Sequence, residues 1–224
     1  MTQIQRILKF YETLPLSGGA PQSMVMFLHG LGSNGQDLIS LVPLWAKGLP
    51  DTVFVSPDAP APCDMVPAGY PNAYQWFSLQ NRDPHVMLKG AEHSAPALGV
   101  FIGEQLARFG LAPSRLALVG FSQGTMMSLY VAPRYKASLA GVVGYSGALL
   151  GGEGLCAPHI HKLPVHLVHG EMDDVVPVEA YDMARGVLTA QGFSVTGHVV
   201  PFLPHSIDQT GLDSGLAFLQ NVLS

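Results

Sequence analysis

The sequence is short of cysteine, of charge and of long apolar runs, and each shortage removes a class of protein. Cys63 and Cys156 are the only cysteines in 224 residues. Two are too few for a disulfide framework or a thiolate zinc site. They are expected to be free thiols, with one disulfide left open. Charged residues make up 12% of the chain, and its 11 basic residues are scattered rather than clustered. Such a distribution leaves no nucleic-acid footprint. No run of roughly eighteen apolar residues occurs, so no membrane-spanning helix is expected. The first ten residues, MTQIQRILKF, lack the apolar core of a secretory signal, which makes the cytoplasm the expected location.

Apolar side chains, by contrast, account for 48% of the residues. That is ample material for a large core and argues against disorder. No internal repeat or low-complexity linker divides the chain, so residues 1–224 are expected to form a single domain. Short apolar runs alternate with longer helical patterns. Ser23–Leu28, Thr52–Ser56, Arg115–Val119, Leu139–Tyr145, Pro164–Val168 and Ser194–Val200 read as strands. Asp37–Lys47, Glu92–Phe109, Gln123–Val131, Val178–Gln191 and Ser206–Leu223 read as helices. Strands that are apolar without alternation belong to a mostly parallel sheet covered by helices on both faces. Sites in such α/β folds form in loops at the carboxyl ends of the strands.

Four of those loops carry chemistry. Gly120-Phe121-Ser122-Gln123-Gly124 lies between a strand and a helix. A sharp strand-to-helix turn needs small residues around the serine, and it lifts the hydroxyl out of the sheet beside the amides of a helix start. Ser122 is therefore the expected nucleophile. A serine hydroxyl needs a base. Of the nine histidines, His205 alone sits in a loop between the last strand and the last helix. His166, His169 and His198 fall within or at the ends of strands and read as packing residues. The base needs an orienting carboxylate, and Asp173 and Asp174 follow the strand before it. The other role open to this pair is capping the helix near Val178.

His29-Gly30-Leu31-Gly32-Ser33-Asn34-Gly35 follows the first strand of the series. It offers the Leu31 amide as a second oxyanion donor beside that of Gln123. It also reads as G-x-G-x-x-G at 30–35, with Asp51 or Asp58 about twenty residues on, so a dinucleotide-binding oxidoreductase is the competing interpretation. Cys156-Ala157-Pro158-His159-Ile160-His161 has metal-ligand residue types, but its proline and turn-like setting favour a surface loop, and no metal is expected. Trp76 and Phe77 are either acyl-pocket walls or core. Pro57–Ala73, rich in proline, reads as a long surface loop too stiff for a hinged lid. Met65 and Val66 are its only sizeable aliphatics, and short to medium acyl chains are the expected preference.

Together these motifs resemble the carboxylesterase/phospholipase group of α/β-hydrolases that includes acyl-protein thioesterases. The resemblance rests on His29-Gly30-Leu31-Gly32, Ser56-Pro57-Asp58-Ala59-Pro60, Trp76-Phe77, Gly120–Gly124, Tyr145-Ser146-Gly147, His169-Gly170 with Asp173 and Val176-Pro177, and His205-Ser206. They run in family order from about residue 22 to the C-terminus. The resemblance implies the α/β-hydrolase fold and a Ser122–Asp173–His205 triad, Asp173 standing third after the glycine of the His-Gly pair. It also implies an oxyanion hole from the Leu31 and Gln123 amides, no cofactor and no large lid domain. Read from the residues, the substrate pocket is expected to include Trp76, Phe77, Met65, Val66 and Val176. The implied partner is a small-molecule ester or thioester, lysophospholipids included, with monomer and homodimer both open. The chain departs from many members at Ser33, Ser78 and Thr125, none of them a triad position. A hydrolase-like binding protein without turnover is the remaining alternative.

Overall fold

A computed structural model describes residues 8–67 and 69–224. Part of the leader reading, residues 1–7, and Ala68 of the proline-rich stretch lie outside them. In chain order the strands are β1 (Phe10–Thr13), β2 (Ser23–Leu28), β3 (Thr52–Pro57), β4 (Ala61–Pro62), β5 (Tyr74–Gln75), β6 (Leu116–Phe121), β7 (Gly141–Tyr145), β8 (Val165–Gly170) and β9 (Val195–Val200). The helices are α1 (Gly35–Ile39), α2 (Val42–Trp45), α3 (Pro84–Phe109), α4 (Gln123–Arg134), α5 (Glu179–Ala190) and α6 (Gln209–Leu223). Seven strands form one sheet in the order β1-β3-β2-β6-β7-β8-β9. All neighbours run parallel except β1, which pairs antiparallel with β3.

Strand β2 shows why the central strands are apolar throughout. All six of its residues are buried. Successive side chains point to opposite faces, and each face has its own core. Met24, Met26 and Leu28 join the core beneath α3, α4 and α5. Val25 and Phe27 join the core with Trp45 of α2 and Leu212 and Leu219 of α6. Fully burying such a side chain contributes ~1.5–3 kcal/mol.

The structure departs from the sequence reading at element ends. The single helix expected over Asp37–Lys47 is two short ones, α1 and α2, because Pro43 within the first turn of α2 cannot donate to a continuous helix. Helix α3 begins at Pro84, eight residues before Glu92. Asp83 caps it by accepting from the His85 and Val86 amides, while its first residues are exposed and give no apolar stripe. The last helix begins at Gln209 rather than Ser206, capped by Asp208. Strand β1 was not expected; its burial falls from half-buried to exposed, with little hydrophobic signal. Within Pro57–Ala73, β4 forms and pairs with β5.

Candidate active site

Ser122 stands between the last residue of β6 and the first of α4, with φ 54° and ψ −117°. A non-glycine residue there is strained, at a cost of about 1–3 kcal/mol. Close packing enforces the turn. A Cβ on Gly124 would stand 1.8 Å from the Leu28 carbonyl oxygen, and one on Gly120 would stand 2.4 Å from the Thr125 nitrogen. Helix α4 thus lies directly against the sheet because those two positions lack side chains. The Ser122 amide donates to the Tyr145 carbonyl at 2.9 Å, which ties the turn to β7.

His205 lies beyond β9 and is 16% exposed at its side chain. Its Nδ1 is 2.7 Å from Asp173 Oδ2. The other carboxylate oxygen, Oδ1, accepts from the Val175 and Val176 amides at 3.0 and 2.8 Å. Burial pushes the Asp173 pKa up, but the hydrogen bond from His205, the two amides and the His205 charge outweigh it, and the net shift is downward. The carboxyl is therefore held as an acceptor facing Nδ1. Asp174 is exposed. Neither acid caps α5, whose N-cap residue Val178 has no side-chain partner; the capping role considered for the pair is not taken. His169 adds a brace that sequence reasoning assigned to packing alone. Its Nε2 lies 2.8 Å from the Val176 carbonyl, which can only accept, and 3.3 Å from Asp173 Oδ2.

The His29–Gly35 loop crosses in front of Ser122, where a Cβ on Gly30 would lie 3.3 Å from Ser122 Cβ. The Gly32 amide donates to Tyr74 and the Ser33 amide to Gly30. The Leu31 amide, like that of Gln123, has no acceptor among the described residues. Buried His29 fixes this loop. The Ala59 amide donates to its Nε2 at 2.9 Å, so Nδ1 carries the proton and donates to the Gly30 carbonyl at 2.7 Å. Burial lowers the His29 pKa and keeps the ring neutral. The side chain of Gln123 does separate work: it accepts from the Trp76 amide at 2.9 Å and donates to the Phe77 carbonyl at 2.7 Å.

The same loop does not fit a dinucleotide. The Gly35 amide is taken by Asp58 and the Gln36 amide by Asn34, so the start of α1 has no free amides for a pyrophosphate. Gly35 is a glycine for packing, since a Cβ there would lie 2.2 Å from the Ser56 carbonyl oxygen. Among the described residues no cluster of metal-ligating side chains occurs. Cys63 is buried, Cys156 is exposed, and both are free.

Ser122 and His205 line one cavity of about 760 Å³, together with Leu31 and Val176. No hydrogen bond joins the two among the described residues, and such bonds are often long before substrate binds. Four expected pocket residues lie elsewhere. Trp76 is buried, with its indole donating to the His29 carbonyl. Phe77 packs against Gly90. Met65 is 48% exposed, and Val66 is half-buried outside the cavity. None of the described residues of the loop Pro57–Ala73 lines this cavity. The walls are instead Leu79, Met87, Met126, Ala148, Ala180 and Ile207. None carried a signal in the sequence, because an apolar cavity residue looks like an apolar core residue.

A mostly parallel sheet with helices on both faces and a strained serine at a strand-to-helix turn define an α/β-hydrolase. The family model for phospholipase/carboxylesterase matches residues 16–223. Acyl-protein thioesterase 1 of Emericella nidulans is 31% identical, the match covering 89% of this chain and 90% of that one. The crystal structure of esterase PE8 superposes with a TM-score of 0.90 at 40% identity, covering 97% of this chain and 100% of that one. Zea mays acyl-protein thioesterase 2 gives 0.74 at 25% identity, over 96% and 99%. The chain belongs to the phospholipase/carboxylesterase family. It is a hydrolase of carboxylic esters.

Proposed function

We propose that the chain cleaves carboxylic esters and thioesters of small molecules by acyl transfer through Ser122. The hydroxyl attacks the substrate carbonyl while His205 Nε2 takes its proton. Asp173, through Nδ1, holds the ring in the required tautomer and stabilises its cation. The Leu31 and Gln123 amides receive the oxyanion. His205 then protonates the departing alcohol or thiol, and water repeats the sequence on the acyl-enzyme. The observation that carries this reading is the His205–Asp173 hydrogen bond behind a cavity that Ser122 also lines. Two free cysteines are compatible with a reducing, cytoplasmic setting, and no helix among the described residues is long and apolar enough to cross a membrane.

Ser122→Ala tests the reading. It should lower kcat by at least ~10³ with the fold retained, and a serine-directed phosphonate should add once to the wild-type peptide containing Ser122. Near-wild-type turnover in the variant would sink the assignment. Micromolar NAD(P) or FAD binding without any phosphonate adduct would restore the oxidoreductase interpretation.

A further inference from the structure

An open groove of about 870 Å³ lies between α3 and the C-terminal end of α4, the opposite end of that helix from Ser122. Its floor on α3 is Ala95, Gly99, Gly103 and Ala107. Residues four apart share one face of a helix, so these small side chains leave a channel ~18 Å long, at 1.5 Å per residue. Such a stripe alone would be packing. Tyr135, at the end of α4, sets it apart. The residue is 7% exposed, and its hydroxyl is enclosed without a hydrogen-bond partner among the described residues. A hydroxyl that has left water without gaining a partner is costly. It faces Gly103: a Cβ there would stand 3.5 Å from Tyr135 Oη and 4.0 Å from Lys136 Nζ. The missing side chain keeps the space before both groups open. Beside them Arg134 lies over the Tyr130 ring, 4.2 Å from its centroid, and donates to the Tyr130 and Gly151 carbonyls. Among the described residues neither Arg134 nor Lys136 is paired with a carboxylate.

We infer that this groove binds a monocarboxylate with an unbranched apolar tail. The carboxylate sits before Gly103, where it accepts from the Tyr135 hydroxyl and lies beside the Lys136 ammonium. The tail runs over Gly99 towards Ala95, a distance of ~12 Å along the helix, and leaves water against those residues and Val131. The ligand carries one negative charge rather than two, because Glu92 and Glu104 also line the groove and repel a second. Glu92 is partly offset by Lys89, 3.9 Å away. The hydroxyl, otherwise orphaned, gains a charged acceptor, and such bonds are stronger than neutral ones. The site lies outside the catalytic cavity and does not depend on the ester-hydrolase reading.

The test is titration of the isotope-labelled full chain with octanoate, read by NMR at the Gly99 and Gly103 amides. Both resonances should move, with a Kd at or below ~1 mM. Octanamide, with the same tail and no charge, should bind at least tenfold more weakly. Tyr135→Phe, which removes only the hydroxyl, should weaken octanoate at least tenfold, and Lys136→Gln by severalfold. Gly103→Leu fills the space with a residue that favours helix more than glycine does, and should abolish the shift at Gly99. Octanoate that moves resonances around Ser122 and leaves Gly99 and Gly103 unchanged overturns the site. So does equal affinity for octanoate and octanamide, or a Tyr135→Phe affinity within twofold of wild type. A wild-type dimer that Gly103→Leu converts to monomer, seen by sedimentation, would give the groove to a second copy of the chain and overturn the carboxylate as its occupant.

Discussion

His205 and His166 lie near the same edge of the sheet, and their surroundings divide the work between them. His166, on β8, is enclosed. Its Nδ1 meets the Thr196 hydroxyl at 2.8 Å, its Nε2 meets the Ser214 hydroxyl at 3.0 Å, and its ring stacks on Phe218. Hydroxyls can donate or accept, so both ring nitrogens are satisfied with the imidazole neutral. Burial, reinforced by the neighbouring His198 charge, lowers its pKa to about 4. His205 has a carboxylate on one nitrogen and the cavity beyond the other. A ring held by two hydroxyls is a packing piece that resists protonation. A ring backed by a carboxylate and open on its far side can take a proton and return it. Nine histidines are available, and loop position between β9 and α6, taken with the chain order serine, aspartate, histidine, singled out His205; the hydroxyls around His166 were not visible in the sequence.

Removing each ring is the most severe way to break this contrast. His205→Ala should lower kcat by ~10⁵ or more, by analogy with the loss of a triad base. His166→Gln should leave kcat within about threefold of wild type. Steady-state kinetics on one short ester decides it, and a comparable loss in both variants would end the distinction.

The adjacent acids sharpen it next. Asp173→Asn should lower kcat by ~10³–10⁴, because an amide favours the wrong tautomer of His205. Asp174→Asn, at an exposed position, should change kcat by less than about twofold. If the damage followed Asp174, the base would be oriented by a residue other than the one found 2.7 Å from its Nδ1.

The smallest effect concerns stability. A folded-state pKa of about 4 for His166 lies below the ordinary histidine value of 6.5. The stability it confers is present above pH 6.5 and is lost as pH falls towards 4. Urea unfolding should show the wild type losing about 1–2 kcal/mol more than His166→Gln between pH 7 and pH 5. Asp173 acts in a different window. Its pKa is below the ordinary aspartate value of 3.8, so its contribution is present above that value and is lost only as pH falls through the lowered one. Equal losses in both proteins between pH 7 and pH 5 would mean that His166 is not kept neutral.

What could be read in advance follows from how local each signal is. Strand β2 was legible to the residue because its burial on both faces leaves an uninterrupted apolar run. Ser122 and His205 stood out because each combines a reactive side chain with a strand end, whereas Asp173 was separated from its neighbour Asp174 only by the spacing that the family resemblance implies. Strand β1 was not legible, since its pairing partners in β3, from Thr13 with Phe54 to Phe10 with Pro57, lie 41 to 47 residues away and supply the reason for its conformation. The start of α3 was legible in principle from Asp83-Pro84, a capping residue followed by proline at the first helical position, but the apolar stripe begins later and set the boundary instead. The cavity walls were not legible at all. Leu79, Met87, Met126 and Ile207 come from four separate segments, and only the closed fold brings them together. Trp76 was ambiguous between pocket and core for the same reason, and its indole hydrogen bond to His29 resolves it to core.

The backbone at Ser122 has a consequence for how such a chain would change under selection. Its φ of 54° and ψ of −117° suit glycine better than serine. On the proposed reading the hydroxyl is kept there for chemistry at the expense of conformational ease. A lineage selected for heat resistance alone, with no ester to cleave, would drift towards glycine at this position. Ser122→Gly should accordingly raise the melting temperature by about 2–4 °C, the shift expected from ~1 kcal/mol in a chain of this size; an unchanged or lower value would mean that the turn stores no strain that glycine relieves.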